Sequence, residues 1–187
     1  MSIFEDFKKD VLAILTKKAP TSSATLPVKP IEQRVIKPDL SKVPADQEKF
    51  PSGAVITSPM GKRIHPVKGT ESEHMGVDIS GIGNSPVYAV ADALVTAAYF
   101  GKGGGNTISI SYKIGEDVII VTYMHLSKMD VKKGDIVKAG QKIGNIGKTG
   151  NLVTGTHLHL EYSVNGIKKP APLYIMQAAI KYKIKDK

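Results

Sequence analysis

Apolar residues recur at two different periods along the chain. Over residues 3–15, Ile3, Phe7, Val11, Ile14 and Leu15 fall at helical spacing with Asp6, Lys8, Lys9 and Asp10 between them, predicting a short amphipathic helix. From about Ser52 the period shortens towards two. SPVYAVADALVTAAYF (85–100), NTISISYKI (106–114), EDVIIVTYMHL (116–126) and THLHLEYSV (156–164) are rich in β-branched and aromatic residues and predict strands. GKGGGN, KIGED and VNG between or after them predict turns. VKKGDIVKAGQKIGNIGKTGN (131–151) adds two short apolar runs around Gly134, Gly140, Gly144, Gly147 and Gly150, as expected of tight hairpins in a folded-over sheet. After Pro172, LYIMQAAI predicts a brief helix that runs into a lysine-rich tail.

Between helix and strands, proline recurs every few residues with little periodic apolar content, which removes backbone donors and favours extended chain. The expected organisation is therefore a helix over 1–19, a Pro-rich linker over 20–50, a folded domain over 51–175 and a basic tail over 176–187. The fold class is mostly β, a small antiparallel β-sheet domain preceded by that short helix and linker. At 187 residues and 41% hydrophobic content the chain can build one real core. No apolar run approaches the roughly 18 residues of a membrane span, and the opening residues lack a signal-peptide plan. The net charge of +9 suits an anionic partner such as nucleic acid, anionic lipid or an acidic wall polymer. Aromatics at 6%, no tryptophan, and no zinc finger, basic helix or aromatic RNA-binding signature argue against nucleic acid.

With no cysteine, any metal must be bound through imidazole and carboxylate. In THLHLE the two-residue period places His157 and His159 on one face and Leu158 and Leu160 on the other. Glu161 shares the histidine face, as an acceptor for a histidine N–H or as an exposed strand carboxylate. An isolated HxH does not make a metal site, so the other histidines decide. His65 lies in KRIHPVKG, His74 in SEHMGVDIS and His125 in TYMHLS, each at a strand end or near glycine. The glycine and β-branched residues between His74 and Asp78 imply a bend or a strand entry, not one helix. A catalytic zinc takes three protein ligands and keeps a fourth position for water. His74, Asp78 and one histidine of the HxH pair would supply that set, leaving His125 and the other for proton handling and charge stabilisation.

GVDIS after His74, then NSPVYAVADALVTAAYFGKGGGN, YMHLSKMDVKKGDIVKAGQKIGNIGKTGN and THLHLE resemble, in order, the lysostaphin-type zinc endopeptidases of peptidase family M23, which cut peptide cross-links of bacterial peptidoglycan. The resemblance covers roughly residues 50–174. It implies a lysostaphin-like, duplicated-hybrid-motif β domain with one Zn2+ in a groove floored by the sheet. It also implies metal ligands His74, Asp78 and His159, and catalytic histidines His125 and His157. Peptidoglycan is the implied partner, met at the bacterial cell wall. There is no HExxH, so the two histidines must do the work usually given to a glutamate base. GKGGGN and GKTGNLVTG are expected to wall the groove, with Asn106 and Asn151 as peptide-contacting groups. His65 is read as structural or groove-lining.

A phosphate loop is a poor alternative, because the first glycine of that motif would fall on Lys142. VKKGDIVKAGQKIG also resembles the hairpins of lipoyl, biotinyl and sugar-transport phosphocarrier domains, which need no such histidine set. A third alternative is a noncatalytic wall-binding or hydrolase-activating relative; such relatives lose metal ligands, whereas this chain keeps them all. Some relatives are held latent by an upstream asparagine on the metal, but the first fifty residues hold neither asparagine nor histidine, leaving only an acid such as Asp39. The N-terminal helix and linker are expected to dock to a partner, for instance a phage particle, a route that also fits a chain without a leader.

Overall fold

Most of the alternating runs join one sheet. The structure, a computed structural model, describes residues 52–181 and 183–185, so the predicted N-terminal helix and linker lie outside the described residues. In chain order the elements are β1 (Ser52–Ser58), β2 (Gly61–Ile64), β3 (Glu71–His74), β4 (Val77–Ser80), β5 (Pro86–Tyr88), β6 (Ala93–Gly101), β7 (Gly105–Ile114) and β8 (Asp117–Leu126). They continue with β9 (Lys128–Met129), β10 (Ile136–Val137), β11 (Lys142–Asn145), β12 (Leu158–Val164), β13 (Ile167–Lys169), α1 (Leu173–Ile180) and β14 (Lys183–Lys185). The nine-stranded sheet has the order β10-β6-β7-β8-β12-β4-β1-β14, with β13 paired to β12. A three-stranded sheet β5-β11-β9 and the β2–β3 hairpin complete the described strands.

Alternation decides which face meets the core. Ile119, Val121 and Tyr123 of β8 and Leu158, Leu160 and Tyr162 of β12 are buried together with Ile108 and Ile110 of β7. The intervening residues Thr122 and Met124, and across from them Glu161 and His159, lie on the other face, paired Glu161 to Thr122 and His159 to Met124. Val87 and Ile143 of the smaller sheet, with Ile175, Met176, Ala179 and Ile180 of α1, join the same core. Tyr123 ties the layers together: its ring is fully buried and its hydroxyl donates to the Tyr88 carbonyl at 3.1 Å. Burial pushes that phenol well above its ordinary value, so it stays a donor. Tyr123→Phe should therefore lower the urea midpoint by an amount equivalent to about 1 kcal/mol with an unchanged m-value; an unaltered midpoint would show that the bond contributes nothing.

Three sequence expectations change. The run 85–100 is two strands, because the chain turns between Tyr88 and Ala93, where the Asp92 carboxylate accepts from the Lys138 ammonium at 2.8 Å and the Ala139 N–H at 2.9 Å. The domain does not end at 175: α1 runs through that position with Met176, Ala179 and Ile180 buried. Beyond it, part of the expected 176–187 tail is strand β14, laid parallel to β1 in an otherwise antiparallel sheet. Sequence alone hides this, since KIK shows no period long enough to read.

Candidate active site

Three strands bring three ligands to one point. His74 ends β3, Asp78 sits in β4, and the register of β4 on β12 places Asp78 directly opposite His159. The bend inferred between His74 and Asp78 is the Met75–Gly76 connection. His74 Nε2 lies 3.1 Å from Asp78 Oδ1 and 3.0 Å from His159 Nδ1, and His159 Nδ1 lies 2.9 Å from Asp78 Oδ1. A tetrahedral zinc with its ligand atoms at about 2.0–2.1 Å separates them by about 3.3 Å, so this triangle needs only slight opening to seat one. All three residues are buried, as an ion site with a single open corner requires.

Each ligand is held from behind. His74 Nδ1 donates to the Pro59 carbonyl at 2.8 Å, which leaves Nε2 as the metal-facing lone pair. His159 Nε2 faces Glu161 Oε1 at 3.5 Å, and Glu161 is paired in turn with Lys168. The Glu161 carboxyl is pushed up by burial, but His159 and Lys168 outweigh that and hold it below its ordinary value. Asp78 gives Oδ1 to the ligand cluster, while Oδ2 accepts from Arg63 Nη1 at 2.9 Å. Burial would raise the Asp78 carboxyl; the surrounding His157, His159 and His74 rings outweigh it and hold the carboxyl far below the usual carboxylate range. Burial likewise depresses His159, but Asp78 and Glu161 overcome it and leave its value raised.

His125 and His157 stand beside this cluster. The ring of His125 is 5.0 Å from that of His157 and 6.0 Å from that of His159. His125 closes β8 with φ at 62°, a left-handed conformation unusual for a residue with a Cβ, and its Nδ1 donates to the Thr149 carbonyl at 2.9 Å. Burial lowers its pKa by more than Thr149 raises it, so the ring is neutral with Nε2 as acceptor. His157 lies just before β12, bridged to Gly147; its Nδ1 donates to the Gly155 carbonyl at 2.9 Å and its Nε2 is 3.5 Å from Asp78 Oδ1. Both rings therefore present one nitrogen each to a cleft of about 340 Å3 that is lined by Arg63, Asp78, His125, Leu152, His157 and His159 among others.

The two glycine loops do meet, as a wall requires. A Cβ on Gly105 would fall 2.3 Å from the Thr149 backbone, and the Asn151 N–H donates to the Lys102 carbonyl at 3.0 Å. The asparagines are placed differently from the expectation. Asn106 spends its amide on the Leu126 and Ser127 carbonyls at 2.9 and 3.5 Å, Asn151 is exposed, and neither lines the cleft. His65 is structural: its Nδ1 accepts from the Val67 and Lys68 N–H groups and closes the β2–β3 turn. Arg63 and Ser58 were invisible in the sequence. In the structure β2 is patterned against hydrophobicity, with Arg63 half-buried while its neighbour Ile64 is 61% exposed.

A His–Asp–His cluster with two further histidines, set in a cleft on an antiparallel sheet and without an HExxH helix, has the donor set of a zinc metallopeptidase site. The sequence model of Peptidase family M23 matches residues 72–170, just over half of the chain, and the chain belongs to that family. It is 39% identical over 118 residues to the peptidoglycan DD-endopeptidase ShyC of Vibrio cholerae, covering 63% of this chain and 26% of that one. Among solved structures, the catalytic domain of the antimicrobial peptidase lysostaphin from Staphylococcus simulans is 34% identical with a TM-score of 0.54, over 66% of this chain and 90% of that one. A zinc-containing peptidase from Vibrio cholerae is 38% identical with a TM-score of 0.54, over 65% of this chain and 38% of that one. The chain spans about a quarter of the length of the curated relatives it matches.

Proposed function

We propose that this protein is an endopeptidase that hydrolyses peptide cross-links of bacterial peptidoglycan, at the cell wall. The observation that carries the reading is the convergence of His74, Asp78 and His159 on one point with the rings of His125 and His157 beside it. The names of its relatives narrow the substrate, since ShyC is a DD-endopeptidase and the related Mpg of Neisseria meningitidis is a DD-carboxypeptidase/endopeptidase.

Bound zinc supplies Lewis acidity, lowering the pKa of water towards about 7 and polarising the scissile carbonyl. The residues of the chain do the rest. Neutral His125, fixed by Thr149 so that Nε2 is unprotonated, accepts the proton of the attacking water. His157, held by Gly155 with Nε2 next to Asp78 Oδ1, is placed to carry a proton to the leaving amine or to donate to the developing oxyanion. The exposed mouth formed by Leu152, Thr154 and Thr156 leaves room for an extended peptide strand.

Mass spectrometry of sacculi digested by the zinc-loaded protein tests this. New free D-alanyl carboxyl groups paired with free diaminopimelate amines are expected at the cross-links. Intact cross-links after prolonged digestion, with zinc content verified, would refute the hydrolase reading.

A further inference from the structure

We propose that Arg63 binds a free α-carboxylate on the amino acid whose nitrogen leaves when the peptide is cut. The inference rests on the hydrolase reading above and specifies its substrate: an acyl-D-amino acid link whose flanking carboxylate is not blocked.

The argument starts from where the guanidinium is and how it is held. Arg63 is the one permanently cationic side chain among the residues lining the cleft. In β2 it is half-buried while Ile64 faces solvent, the reverse of what hydrophobicity alone would choose. Both hydrogens of Nη1 are committed, one to Ser58 Oγ at 2.6 Å and one to Asp78 Oδ2 at 2.9 Å. These two bonds pin the planar group and leave its opposite edge, Nε and Nη2, without a hydrogen-bond partner among the described residues; Nε is buried as well. Burial keeps Nε out of an incoming ligand's reach, so Nη2 is the donor that can meet a carboxylate oxygen, in a charge-assisted hydrogen bond.

Position supplies the specificity. Asp78 spans the gap between metal and arginine, Oδ1 in the ligand cluster and Oδ2 on Arg63, so the guanidinium sits one carboxylate's width from the reacting centre. In an acyl-D-alanyl-D-amino acid link the α-carboxylate of the second residue is only a few bonds from the carbonyl under attack. An arginine so close to the metal can hold that group while the carbonyl is at the reacting centre. Charge agrees once the metal is bound, because Arg63 and Asp78 cancel as a pair and the zinc would leave the cleft net positive for an incoming anion. A glycyl bridge carries no carboxylate at that point and has nothing for Arg63 to hold. The same reading accounts for one site acting as carboxypeptidase and endopeptidase, since both substrates present a carboxylate there.

The test compares two synthetic peptides, N-acetyl-L-lysyl-D-alanyl-D-alanine and its C-terminal carboxamide, at saturating zinc. Wild type should favour the free acid in kcat/KM by about 10–100-fold. Arg63→Ala should bring the acid down to the level of the amide, within about 3-fold, and Arg63→Lys should restore part of the preference. A residue that only oriented Asp78 would, when removed, weaken zinc binding by about 10–100-fold and slow both peptides alike. An unchanged acid-to-amide ratio in Arg63→Ala, or equal cleavage of the two peptides by wild type, therefore overturns the proposal. If zinc-loaded wild type cut neither peptide nor sacculi, the hydrolase reading would fail, and calorimetric binding of the same peptides would still decide. Tighter binding of the acid by wild type and not by Arg63→Ala supports the proposal; equal binding of acid and amide sinks it.

Discussion

Replacing His159 by alanine is expected to remove zinc and activity together. His159 contributes one of three ligand atoms, and its Nδ1 touches both of the others at 2.9 and 3.0 Å. With His74 and Asp78 alone, two ligands remain, from strands consecutive in the chain, and the third corner is open to solvent. Loss of groups that merely support a metal ligand costs about 10–100-fold in affinity or activity, so loss of a ligand should cost on the order of 1,000-fold or more. Zinc per chain after dialysis should fall from one towards zero, and hydrolysis of sacculi should fall with it. His65→Ala is the matched control: that ring only closes a turn, and both readouts should stay at wild-type levels. A His159→Ala protein that kept one zinc and full activity would overturn the ligand assignment.

Gly76→Ala is the second large effect, and it works through space, not backbone conformation. A Cβ built on Gly76 would lie 2.5 Å from the Leu160 carbonyl oxygen, 2.8 Å from His159 Nε2 and 3.0 Å from His159 Cε1. Leu160 cannot yield easily, because β12 is paired on both sides there, with Val77 and with Tyr123. The imidazole cannot yield without leaving the ligand triangle. Overpacking of this kind costs about 1–3 kcal/mol and sometimes more, and here the strain falls on a ligand. A melting temperature lower by several degrees and zinc affinity weaker by about tenfold or more are the expected pair of results. A normal melting temperature with normal zinc affinity would mean that β4 and β12 separate more freely than their pairing implies.

How much of this was legible beforehand depends on the kind of signal. THLHLE could be read directly, since strand alternation puts Leu158 and Leu160 into the core and leaves His157 and His159 together on the cleft side. The bend between His74 and Asp78 was legible from glycine. Which histidine of the pair completes the ligand set was not, because alternation treats the two alike; only the family resemblance separated them. Position in space is the difference: His159 is inside β12 opposite Asp78, whereas His157 precedes the strand and leans from its loop. Arg63 escaped because a charged residue in a short polar hairpin reads as solvated surface, and His65 drew attention instead. Asn106 looked like a groove donor, but the carbonyls of Leu126 at the end of β8 and of Ser127 just after it claim its amide, a long-range pairing no local pattern reports. Strand β14 escaped for the same reason: its partner β1 is more than a hundred residues away.

Asp78 and His159 are 81 residues apart, and His74 and His159 are 85 apart. No fragment that stops short of either end of the 74–159 span can therefore capture zinc through all three ligands, and a polypeptide leaving the ribosome stays chemically silent until its last long strand has docked. The ion then fastens distant parts of the chain that nothing else joins covalently. Free zinc above the dissociation constant adds to folding stability by mass action, so chelation weakens the protein as well as disarming it.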